Sequence, residues 1–104
     1  MFAQVPWPIK DITIFNKGLI PKSFEFSENP NELIWLHIDL GLPQPTLATI
    51  KYFYEKIVSG GVILLDHYGW HGHRDSKELV DMFFSTERGI NLPLPTGQSL
   101  YFKL

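Results

Sequence analysis

Two apolar runs without alternation dominate the chain, Leu33-Ile34-Trp35-Leu36-His37-Ile38 and Val62-Ile63-Leu64-Leu65. Runs of this kind predict strands covered on both faces, as in a parallel sheet. Between them Leu47, Ile50, Tyr54 and Ile57 recur at spacings of three and four, with Phe53 beside them and Lys51, Glu55 and Lys56 opposite. That pattern predicts an amphipathic helix. Pro45 suits its first position, because a helix start leaves that N–H unpaired anyway. The helix should run to about Val58, with Ser59-Gly60-Gly61 ending it, since glycine adopts the left-handed conformation cheaply. Strand, helix and strand make a βαβ unit with a right-handed crossover. Asp39 closes the first run and Asp66 the second. Both acids are therefore expected at the carboxyl ends of adjacent parallel strands, the rim where open α/β sheets bind ligands.

Around this unit the signals are shorter. Residues 1–10, with Pro6, Trp7 and Pro8, read as an extended arm. Asp11 to Lys17 carries β-branched and aromatic residues and reads as a short strand, followed by a loop with Pro21, Ser23, Asn29 and Pro30. A second helix is expected from about Asp75 to Thr86, with Leu79, Val80, Phe83 and Phe84 inward and Gly89 as its stop. A strand near Asn91–Leu94, a Pro95-Thr96-Gly97-Gln98 turn and a final strand Ser99–Leu104 complete the chain. So short a turn implies antiparallel pairing of these last two strands.

Composition narrows the function classes. One domain accounts for 104 residues. A formal charge of -2 offers no basic field for nucleic acid or an acidic membrane. With no cysteine, disulfides and thiolate metal sites are excluded. No apolar run approaches the roughly 20 residues that span a bilayer, and the first residues lack the basic flank of a signal peptide. A cytoplasmic protein is expected.

The words at the element junctions point further. Leu36-His37-Ile38-Asp39-Leu40, Gly60-Gly61-Val62-Ile63-Leu64-Leu65-Asp66-His67-Tyr68-Gly69 and Pro95-Thr96-Gly97-Gln98 resemble the C-terminal half of class I S-adenosylmethionine-dependent methyltransferases, nearest to the macrocin O-methyltransferase (TylF-like) family. Gly72-His73-Arg74 and Val80-Asp81-Met82-Phe83 stand where that family has its Gly-x-Arg helix. The resemblance covers about residues 12–104. It implies an α/β fold, a partial Rossmann-like methyltransferase sheet of mostly parallel strands with an antiparallel final strand, flanked by helices. It also implies methyl transfer from S-adenosylmethionine to a hydroxyl of a sugar-like or other small molecule. In the resembling enzymes the strand-end acids hold a divalent metal, and one of them can take the hydroxyl proton. Carried over, Asp39 is the catalytic candidate, and Asp39, Asp66 and His67 are the metal candidates.

Departures from the family pattern matter. Gly41 and Pro43 replace the acid and the tyrosine that follow the first core strand, and His67 replaces the second acid of the pair after the next. Imidazole suits zinc, iron or nickel better than magnesium. No glycine-rich turn follows an early strand, so the donor-binding half of the fold has no counterpart here and the chain alone is expected to be inactive. The family's sheet order, 3-2-1-4-5-7-6, leaves the strand at Leu33–Leu40 without its inner neighbour. An open apolar edge is a pairing site. The expected partner is a second copy through that edge or a missing N-terminal half, unless Ile12–Lys17 moves to pair with it.

Other readings stay open beside this one. Asp39 and Asp66 could cap the following elements. His67, His71 and His73 could converge on a metal, which would make the chain a small His/Asp metal-binding protein. Tyr68, Trp70 and His71 are candidates for a substrate pocket, with packing as the alternative. His37 reads as a hydrogen-bonded core histidine. A non-enzymatic module that works by assembly is the remaining alternative.

Overall fold

The computed structural model describes residues 16–25, 29–66 and 74–104. Four strands, β1 (Leu33–Ile38), β2 (Ile57–Leu65), β3 (Gly89–Pro93) and β4 (Ser99–Lys103), form one sheet in the order β1-β2-β4-β3. β1 and β2 are parallel, whereas β4 is antiparallel to both of its neighbours. Two helices, α1 (Pro43–Tyr54) and α2 (Arg74–Phe84), connect β1 to β2 and β2 to β3. A reversed strand between neighbours that run the same way fits the expected partial Rossmann-like sheet. The expected strand at Asp11–Lys17 and the arm at 1–10 lie largely or wholly outside the described residues.

Several boundaries differ from expectation, each for a local reason. α1 begins at Pro43 rather than Pro45. Both prolines fall in the first turn, where the N–H they lack has no helical acceptor. The helix also ends early, at Tyr54, and Ile57 and Val58 already belong to β2. Gly60 and Gly61 therefore do not stop the helix; they lie inside the strand. There β1 advances from Leu33 to Trp35 while β2 advances from Ile57 to Val62, an irregularity that takes up the extra residues of β2. Gly60 has φ +87°, and a Cβ on Gly61 would come within 2.9 Å of the Val58 carbonyl oxygen. Gly89 likewise opens β3 instead of merely closing α2, because the Tyr101 ring occupies the space a side chain there would need.

Both helices pack on one face of the sheet. Ile50 and Tyr54 of α1 and Val80 and Phe84 of α2 form one buried cluster with Ile38, Ile57, Ile63, Leu65 and Tyr101. Tyr101 is its centre: its ring stacks on Phe84 at 3.7 Å and 10°, and its hydroxyl lies 3.1 Å from that of Tyr54. Lys103 tucks back onto this face, and its Nζ donates to the Tyr54 and Ile57 carbonyls at 2.9 and 2.7 Å. It thereby satisfies a carbonyl that the end of α1 leaves open. Outward, Lys77 and Asp81 pair across one turn of α2 at 2.8 Å.

One expectation about β1 fails. Its unalternated run suggested cover on both faces, yet Ile34 is 74% and Trp35 53% exposed. The reason is positional. β1 is an edge of the described sheet, and no described helix lies on the face that carries Trp35.

Candidate active site at the strand ends

β1 and β2 end level with each other, with Ile38 paired to Leu65. The Asp66 N–H donates to the Ile38 carbonyl at 3.0 Å, which extends the parallel ladder by one step and fixes the start of the loop. Asp39 and Asp66 thus leave adjacent parallel strands at the same level, as the sequence led one to expect. Asp39 is exposed and Asp66 half-buried.

The Asp66 carboxylate is the hub of a polar chain. Its Oδ2 lies 2.5 Å from His37 Nε2, and its Oδ1 accepts from Gln98 Nε2 at 2.5 Å. Thr96 Oγ1 donates to Gln98 Oε1 at 3.0 Å, and so orients the amide with its nitrogen toward Asp66. Turn geometry holds Gln98 in place: the Leu94 N–H donates to the Gln98 carbonyl at 2.8 Å, and Gly97 takes φ +90°. An ionised carboxylate only accepts hydrogen bonds, so His37 presents Nε2–H to Asp66. In the neutral ring Nδ1 then carries the lone pair. A histidine held in one tautomer by an aspartate, with its other nitrogen available, has the arrangement of a general base.

His37 is hydrogen-bonded, as expected, but it is not a core residue; its side chain is 45% exposed. His37 and Gln98 are the members of this site whose direct link to Asp66 the sequence reading missed. A signal did exist for His37. In parallel strands of matched length, a residue one position before the strand end lies diagonally across from the first residue beyond its neighbour. Gln98 was marked only as part of a turn near the rim, and nothing local showed where its amide would reach.

Of the expected metal ligands, Asp39 and Asp66 stand side by side on the rim. His67 lies outside the described residues, as do Tyr68, Trp70, His71 and His73. Among the described residues no group of three or more potential ligands comes together. The two carboxylates alone fall short of a divalent-metal donor set. A concavity of about 360 Å³ is lined by Leu47, Lys51, Leu79, Met82, Phe83 and Thr86, between the helices. It takes no residue from the strand ends.

The comparisons with known proteins agree with the sheet. No protein-family description and no curated protein match the chain. Among solved structures, the O-methyltransferase NovP is similar, with a TM-score of 0.63 at 20% identity over 70% of this chain. The chain has a methyltransferase-like fold. It spans 30% of the length of NovP. Among the described residues no helix is long and apolar enough to cross a membrane.

Proposed function

We propose that this chain is the counterpart of the C-terminal, acceptor-side half of a TylF-like O-methyltransferase, and that it does not transfer methyl groups by itself. The observation that carries the reading is the order β1-β2-β4-β3 with β4 reversed, together with acids on the adjacent ends of β1 and β2. Ligands of open α/β sheets collect at that rim. S-adenosylmethionine, when bound, would supply the sulfonium methyl. The acceptor oxygen would attack the methyl carbon as the carbon–sulfur bond breaks, and its proton would pass to a base on the rim. Asp39 is the carboxylate at hand, and His37, steadied by Asp66, is a second acceptor. Such a reaction depends mainly on holding two reactants in line. In such enzymes the donor's place belongs to strands that have no counterpart among the described residues, so the described rim can orient a hydroxyl but does not by itself hold the donor.

Methyl-labelled S-adenosylmethionine incubated with the chain and a set of hydroxylated sugars and phenols tests the proposal. The expected result is no transfer of label. Turnover that disappears in Asp39→Asn would contradict it, because the chain would then hold both halves of the site.

A further inference from the structure

The registers place eight side chains on the sheet face turned away from α1 and α2, in two rows of four. Trp35, Val62, Phe102 and Ile90 make one row; His37, Leu64, Leu100 and Leu92 make the other. None of the eight is buried, and Trp35, Ile90 and Leu92 are 53%, 56% and 48% exposed. Seven are apolar and none is an acid, a lysine or an arginine. The four strands contain a single formally charged side chain, Lys103, and it is committed to the helix face. Edges and faces that stay in water usually carry charge; this one carries none.

We infer that a second copy of the chain covers this face, sheet on sheet, about a two-fold axis through the centre of the eight-residue grid. Charge decides in favour of a second copy. Identical faces related by a two-fold present like charges to each other, and a grid without charges is the case in which that costs nothing. Area agrees. The exposures amount to on the order of 500 Å² per copy, at the upper end for a patch left bare on a monomer, and two copies reach about the 1,000 Å² at which specific interfaces begin. Aligned sheets pack about 10 Å apart with their inner side chains interleaved, a spacing the Leu64, Leu100, Val62 and Phe102 centre can fill. His37 then lies at the rim of the interface, so assembly partly screens the strand-end site from water. This association differs from pairing along the β1 edge, which would use backbone groups and leave the grid bare.

Light scattering coupled to size exclusion, run from 5 to 200 µM, tests the inference. The wild-type chain should show twice its 12.0 kDa mass at the upper concentrations. Ile90→Lys/Leu92→Lys, which alters two side chains already exposed in one copy, should give a folded monomer by circular dichroism. Ile34→Lys, on the helix-bearing side of the edge strand, should leave the dimer intact. Because the chain has no cysteine, a single Leu100→Cys should be joined into a covalent dimer by a short bismaleimide, which spans the gap between packed sheets that a direct disulfide cannot, a readout that survives even if the lysine variants fail to fold. A monomer at every concentration would overturn the inference. So would a dimer lost in Ile34→Lys but kept in Ile90→Lys/Leu92→Lys, which would mean edge pairing.

Discussion

Tyr54 shows how much a single buried polar group can decide. Its ring is almost fully enclosed, and its hydroxyl meets that of Tyr101 at 3.1 Å. Burial pushes its ionisation well above the ordinary 10.0, and its hydrogen bond with Tyr101 and the negative charges that Tyr101 and Glu87 carry when ionised add to the shift. The folded-state value is thus higher than the unfolded one. Its contribution to stability is complete below about pH 10 and is lost as pH rises, because the unfolded chain releases the proton first. Thermal melts across pH 8 to 11.5 should show Tm falling steeply above about pH 10 in the wild type and less steeply in Tyr54→Phe. At neutral pH the variant should be less stable by about 1 kcal/mol, the usual loss for one hydrogen bond. His37 and Asp66 carry the opposite lesson. Their types and positions are visible in the sequence, but the 2.5 Å contact between them depends on strand register, which follows from pairing the two strand ends and not from either strand's own pattern.

Among the elements, β2 is the most instructive. The pattern of α1 continues past its true end, because Ile57 sits at helical spacing from Tyr54 and Ile50 and is buried with them. Tertiary packing against the same core satisfies either assignment, so periodicity could not tell helix from strand there. Gly60-Gly61 sharpened the error, since paired glycines suggest a helix stop. Their role here is to let β2 absorb extra residues beside β1. Gly61→Ala should therefore damage a strand rather than a cap. The new Cβ would meet Ile57 Cγ2 at 2.5 Å and the Val58 carbonyl oxygen at 2.9 Å. The expected loss is about 1–3 kcal/mol, read as a lower urea midpoint at unchanged slope. By contrast, the two core strands, α2, the short turn and the antiparallel final pair were legible. Their signals are local, and the packing agrees with them.

For the whole molecule, the order of the sheet was legible only through resemblance. Periodicity yields strands, not their neighbours. That β4 inserts between β2 and β3 is a long-range fact, carried here by junction words such as Gly-Gly-hydrophobic-Asp and by the turn that brings Gln98 to Asp66. The bare sheet face was not legible at all. An unbroken apolar run looks the same whether its second face is covered by the same chain or by another molecule. Among the described residues three strands run one way and β4 the other, with α1 and α2 on one face, whereas sheets of parallel strands are normally covered on both faces. The central proposal is that the described residues carry an acceptor rim without a donor site. Calorimetric titration of the purified chain with S-adenosylmethionine tests it most directly. The account predicts no saturable heat at millimolar donor. Binding in the micromolar range would mean that a donor site is complete within the chain or across its dimer, and would contradict the half-site reading.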